Sequence, residues 1–198
     1  MLTLITNRKI VKEGNYFSTI KKAIEGGVDA IILREKDIPK EELQSIAEGV
    51  KEIIGERKVL LIINSNIEIA KAVEADGIQL SFDTFINEKL HVGFEGLVGV
   101  SVHSLQEALG AEMRGASYVL ASHVFETACK AGLEPKGLRL IKEIKEKVSI
   151  PVIALGGITP ENVKDVMDLG VEGVAVMSGI MAAEDVFEVV EMFKKMMS

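Results

Sequence analysis

The sequence predicts a compact, single-domain (β/α)8 barrel of the α/β class. Short β-branched runs alternate with longer amphipathic segments eight times along the chain. Shared among eight units, the 198 residues leave about 25 each, close to the minimum for a strand, a helix and two short loops. Glycine recurs ahead of strands, at Gly26, Gly27, Gly77, Gly115 and Gly170, where helices would end. An open doubly wound sheet is the competing architecture, but it would carry a glycine-rich turn directly after its first strand. Here Thr6 is followed by Asn7, Arg8 and Lys9. No linker, low-complexity tract or short-period repeat marks a second domain.

In order along the chain, residues 2–6 read as a strand and 16–26 as a helix whose Phe17, Ile20, Ala23 and Ile24 share one face. Residues 30–33 form the second strand, followed by a helix over 39–54 with Pro39 in its first turn. Residues 59–63 and 67–73 make the third pair. The fourth strand spans 78–80, and the stretch 81–96 carries the least pattern of any part of the chain. Residues 97–101 and 105–114 form the fifth pair. Strand six covers 118–121, a long polar loop runs from 122 to 136, and a helix follows over 138–147. Strand seven spans 151–155, with Thr159 as a helix cap and Pro160 as the first helical residue after it. Residues 173–177 are the eighth strand, and 186–196 the closing helix.

Composition narrows the function classes. The chain is 47% hydrophobic and 27% charged, as expected of a globular domain with a full core. Its apolar residues are dispersed, and no run reaches the roughly 18 residues that span a bilayer. Residues 1–6 lack the basic segment and apolar stretch of an export signal, and the lone cysteine fits a reducing compartment, so a cytoplasmic location is expected. A net charge of −7 argues against nucleic-acid binding while leaving room for a local basic pocket.

In a barrel the chemistry belongs at the C-terminal ends of the strands and in the loops that follow. Gly156 and Gly157 after strand seven, and Ser178 and Gly179 after strand eight, match the phosphate site that barrels build from backbone N–H groups at that point. Tight turns alone would also explain these glycines. Arg34 and Lys36 flank Glu35 after strand two, so the two cations should share a side while Glu35 faces away. Such a pair suits a phosphate, a diphosphate or a carboxylate, and equally a solvated charge pair. Of the three histidines, His91 reads as a surface residue, and His103 as a capping or packing residue at least as much as a catalytic one. His123 opens the long loop after strand six, where an imidazole can exchange protons near neutral pH. Cys129 lacks a base and an orienting partner and reads as a small loop residue. Asp76, Asp83 and Glu35 have no spacing that names a metal site.

Taken together, these segments resemble the thiamine phosphate synthase superfamily along essentially the whole chain. The landmarks are Leu33–Arg34–Glu35–Lys36, Ile62–Ile63–Asn64, Asp76–Gly77–Ile78–Gln79–Leu80, Ser101–Val102–His103–Ser104, the run from Pro151 to Pro160, and the run from Gly173 to Ile180. Two branches then compete. Synthases of the superfamily join a hydroxymethylpyrimidine diphosphate to a thiazole phosphate with magnesium. Their usual pattern has Gln where this chain has Ile32, an Asp where it has Ser65, an acidic pair reduced here to Asp83 beside Thr84, and a hydroxyl residue where it has Cys129. The TenI branch, the thiazole tautomerases, has a loop resembling His123–Val124–Phe125–Glu126–Thr127–Ala128–Cys129–Lys130–Ala131–Gly132–Leu133–Glu134 at all twelve positions.

The resemblance therefore implies an isomerase that aromatises a thiazole carboxylate phosphate, with His123 as catalytic acid/base, no metal and no cofactor. It implies phosphate binding at Gly157, Ser178 and Gly179, contacts to the substrate carboxylate or ring from Arg34, Lys36 and Asn64, a further binding role for Ser101, and a covering loop positioned by Thr127 and Lys130. A homodimer is expected from the family. The alternatives are a transferase, thiamine phosphate synthase itself, which would bring magnesium, and a non-catalytic regulatory protein; no DNA-reading helix or basic stripe supports the last.

Overall fold

Eight short strands pair in parallel, each with its neighbours in sequence, and the last closes on the first to complete a barrel. They are β1 (Leu2–Ile5), β2 (Ala30–Leu33), β3 (Leu60–Asn64), β4 (Gly77–Ser81), β5 (Leu97–Val102), β6 (Tyr118–Ser122), β7 (Val152–Leu155) and β8 (Gly173–Val176). Around them run α1 (Tyr16–Gly26), α2 (Lys40–Ile54), α3 (Ile67–Ala72), α4 (Phe82–Asn87), α5 (Leu105–Glu112), α6 (Gly137–Lys147), α7 (Val163–Met167), α8 (Ser178–Met181) and α9 (Val186–Met196). The structure is a computed structural model that describes residues 1–11, 15–88, 92–127, 132 and 134–198.

Strand alternation divides the core in two. Ile5, Ala30, Ile32, Ile62, Leu120, Ile153 and Ala175 point inward and fill the barrel as a cluster of their own. Their neighbours Leu4, Ile31, Leu33, Ile63, Val119 and Val174 point outward and pack under the helices in a second, larger cluster. Both faces being buried, the strands read as continuous apolar runs, which is the mark of a parallel sheet. Each wholly buried aliphatic side chain contributes about 1.5–3 kcal/mol of transfer free energy. Among the described residues no helix is long and apolar enough to cross a membrane.

Several expected boundaries move. The patternless stretch contains α4, whose start is capped by the Ser81 hydroxyl accepting the Thr84 N–H at 3.1 Å. Asn66, Ser104 and Asp185 cap α3, α5 and α9 in the same way. Thr159 is not the cap expected of it. Its carbonyl accepts the N–H groups of Asn162 and Val163, Pro160 falls in the intervening turn, and α7 starts only at Val163. Gly77 lies within β4 rather than at a helix end. Gly99, also within a strand, faces Tyr118 and Gln79 so closely that any Cβ there would overlap both side chains. His91 and Cys129 fall outside the described residues.

Candidate functional site

Beyond the apolar filling, the inward positions turn polar at the C-terminal ends of the strands. Asn64 ends β3 and Ser81 ends β4, Ser101 lies one residue from the end of β5, and Ser122 ends β6. With the loops beyond them they enclose a cavity of about 580 Å³. A smaller, almost wholly apolar cavity of about 150 Å³ opens at the opposite end of the barrel, between Met1, Leu60, Leu97 and Pro151. The larger one gathers the convergent polar groups and sits where barrels carry their chemistry, which makes it the candidate site.

Nine of the ten residues expected at the site line this cavity: Arg34, Lys36, Asn64, Ser101, His123, Thr127, Gly157, Ser178 and Gly179. The tenth, Lys130, lies outside the described residues. As strand parity predicts, Arg34 and Lys36 face the cavity while the carboxylate between them turns away. Among the described residues neither cation forms an ion pair, whereas the nearby Arg8 and Lys9 do. Two cations that face a cavity without an ion pair among the described residues are suited to an anion.

The wall beside β6 holds His123, which is 4% exposed. Gly156 sits against it with φ of +111°, and a Cβ at that position would lie 2.8 Å from the His123 Cα. The Val124 and Phe125 N–H groups donate to the Leu155 and Gly156 carbonyls, so the start of the long loop is stitched to the end of β7. Gly157, at φ +64°, is likewise packed against Phe125 and Glu126. The glycine pair thus has a structural role that its sequence reading did not include: it lets the loop bearing His123 close over β7.

His103 lines the same wall, although its position suggested capping or packing at least as much as catalysis. Its Nδ1 lies 3.0 Å from the Ser122 carbonyl oxygen and 3.2 Å from the Ser122 Oγ, which fixes the ring against the end of β6. The cap of the following helix is Ser104 instead. Ser81 and Ser122 also line the cavity without having been singled out, as does Ser65, which the sequence marked only by the carboxylate it replaces. Ser81, Ser122 and His103 were open to detection, since each continues the inward parity of its strand.

Deeper in the barrel, the Tyr118 hydroxyl donates to Gln79 Oε1 at 2.7 Å, and Gln79 Nε2 donates to the Ser101 Oγ at 3.0 Å. Burial pushes the Tyr118 phenol well above the ordinary tyrosine range, so it remains a donor. Because Ser101 accepts from Gln79, its own proton is left to point toward a ligand.

Magnesium seeks near-octahedral oxygen coordination, usually one or two carboxylates together with substrate phosphates. Among the described residues no three His, Cys, Asp or Glu side chains converge as a metal site. The oxygens at the ends of β3 and β4 come from Asn64, Ser65 and Ser81, which carry no charge, and Asp83 does not line the cavity. Glu126 supplies the carboxylate among the described residues that line the cavity, so a magnesium ion held here would take its remaining ligands from neutral oxygens and from the phosphates of a substrate.

A closed parallel eight-stranded barrel, with polar side chains gathered at the C-terminal ends of its strands, places the molecule among the (β/α)8-barrel proteins. The match can be narrowed, because residues 2–180 match the thiamine monophosphate synthase family, and the chain belongs to that family. It is 38% identical over 187 residues to a thiamine-phosphate synthase of Clostridium acetobutylicum, covering 93% of this chain and 89% of that one. A thiamine-phosphate synthase of Pyrococcus horikoshii is 40% identical over 186 residues, covering 93% and 88% of the two chains. Among solved structures, thiamine phosphate pyrophosphorylase from Pyrococcus furiosus superposes with a TM-score of 0.90 at 36% identity, over 99% of this chain and 94% of that one.

These relatives overturn the expectation of a tautomerase and of isomerase activity. That expectation rested on the twelve-residue loop from His123 to Glu134 and on single-position departures from the usual synthase pattern, all of them local features. Relatives resembling the chain over nearly its full length are named for the synthase. Ile32, Ser65 and Cys129 each depart from the usual synthase pattern at a single position. Replacing an amide, a carboxylate and a hydroxyl at single positions leaves Arg34 and Lys36 facing the cavity.

Proposed function

We propose that this chain is a thiamine-phosphate synthase, a transferase that joins a hydroxymethylpyrimidine diphosphate to a thiazole phosphate and releases diphosphate. The observation that carries the reading is its 36–41% identity, over about nine-tenths of its length, to proteins bearing that name. The chemistry of the cavity agrees with it. In the transfer, the bond between the pyrimidine methylene carbon and the diphosphate oxygen breaks, and diphosphate keeps the electron pair. The lone pair of the thiazole nitrogen forms the new carbon–nitrogen bond, leaving a positively charged ring. No proton has to leave carbon.

Charge accumulates on the departing diphosphate, so fixed cations aimed at it stabilise the transition state more than the ground state. Arg34 and Lys36 serve that purpose. The backbone N–H groups of Gly157, Ser178 and Gly179 hold the thiazole phosphate. Asn64 and Ser101 hydrogen-bond the heterocycles, and Thr127 lines the cavity beside them. His123 forms part of the wall and offers a hydrogen bond rather than a proton shuttle between carbons. Incubating the purified chain with both substrates in magnesium-containing buffer tests the reading. Thiamine phosphate and diphosphate should appear in equal amounts. A folded protein that forms neither would overturn it.

A further inference from the structure

At the rim of a cavity suited to anions, a buried carboxylate needs a reason. The Glu35 side chain is 2% exposed, although it lies between the two cations of the site. Its Oε1 accepts the Thr6 hydroxyl at 2.6 Å and the Tyr16 hydroxyl at 2.7 Å, and its Oε2 accepts the Arg8 backbone N–H at 2.9 Å. The Arg8 Nε, buried and without a hydrogen-bond partner among the described residues, stands 3.9 Å from the same Oε2. The Thr6 oxygen in turn accepts the Arg34 N–H at 3.0 Å. One carboxylate therefore ties together the end of β1, the segment after it, the start of α1 and the loop after β2. Burial and the Glu35 charge both push the Tyr16 phenol up, so it remains a donor to the carboxylate. Two residues on, Asp37 has φ of +62°, a backbone state that persists only where its surroundings hold it.

We propose that Glu35 is a positioning residue that aims Arg34 and Lys36 into the cavity and so sets the affinity for diphosphate. The choice of diphosphate rests on the transferase reading. The clamp itself rests on the geometry around Glu35. An account by charge alone predicts the opposite sign, because removing a negative charge near an anion site should tighten anion binding. Thr6→Val separates the two, since it keeps the charge and removes the hydroxyl that links Glu35 to the Arg34 backbone.

The test is calorimetric titration of the full chain with inorganic diphosphate, together with steady-state kinetics on both substrates. Glu35→Gln and Thr6→Val should each weaken inorganic diphosphate about tenfold, the scale of one charge-assisted hydrogen bond. KM for the pyrimidine diphosphate should rise in parallel while KM for the thiazole phosphate stays within about twofold, and Thr6→Ser should restore both. On an Arg34→Ala, Lys36→Ala background Glu35→Gln should add less than about twofold, because nothing is left to aim. Tighter diphosphate binding in Glu35→Gln, unchanged affinity in Thr6→Val, or a cost that adds in full on the double-alanine background would each overturn the proposal. So would a wild-type chain that does not bind inorganic diphosphate. If Glu35→Gln does not fold, Thr6→Val and Tyr16→Phe carry the same comparison. A wild type that binds diphosphate but makes no thiamine phosphate would sink the transferase reading, and the titrations would still decide the clamp.

Discussion

Replacing Gly156 by alanine tests whether the loop bearing His123 is held against β7 as described. Two costs add. At φ of +111° a side chain is strained whatever the available space, at about 1–3 kcal/mol. The new Cβ would also lie 2.8 Å from His123 Cα and 3.2 Å from the Val124 nitrogen, and closer still to His123 Cβ. None of these atoms can rotate away, and the segment is fastened by the bonds from Val124 N–H to the Leu155 carbonyl and from Phe125 N–H to the Gly156 carbonyl. Overpacking of that kind costs about 1–3 kcal/mol more. The sum, roughly 2–6 kcal/mol, lowers Tm by roughly 5–20 °C in a domain of this size. Gly115→Ala is the control, because its φ is +85° and nothing lies within 4 Å, so it reports backbone strain alone. Thermal unfolding of the two variants followed by circular dichroism should show Gly156→Ala to be clearly the less stable. Equal shifts in Tm would refute the close packing of His123 on Gly156.

Further outcomes follow from the same geometry. Tyr118→Phe leaves Gln79 Oε1 without its donor and should cost about 1–2 kcal/mol, read as a lowered Tm; it should also weaken substrate binding through Ser101 while leaving the affinity for inorganic diphosphate unchanged. Tyr16 and Tyr118 both ionise at higher pH in the folded chain than tyrosine does when unfolded, near 10. The unfolded chain therefore releases these protons first, so their contribution to stability is complete below about pH 10 and declines as pH rises above it. Urea titrations across that range should show the decline, and the Tyr16→Phe, Tyr118→Phe double variant should show a shallower one.

The barrel was legible because its strands are buried on both faces, and such strands are written as unbroken β-branched runs such as Ala30–Leu33. Helix α4 was not, since six residues give less than two full turns of period and its cap, Ser81, also ends a strand. At the site, parity placed Arg34 and Lys36 on one side and Glu35 on the other. The same rule carried through β5 would have brought His103 in, because it continues the inward series Gly99 and Ser101. What the clamp does was beyond reach, as Thr6, Arg8, Tyr16 and Glu35 meet only when β1 and β2 pair. The choice of branch went astray for a related reason. A loop signature is local, whereas the catalytic reading depends on groups contributed by strand ends all around the barrel.

The most direct test of the central claim compares the wild type with an Arg34→Ala, Lys36→Ala variant in the formation of thiamine phosphate from the pyrimidine diphosphate and the thiazole phosphate. The account predicts turnover by the wild type with one diphosphate released per thiamine phosphate, and a loss of at least about a hundredfold in kcat/KM for the pyrimidine diphosphate in the folded variant. No thiamine phosphate from the wild type, or equal turnover by the two proteins, would contradict it.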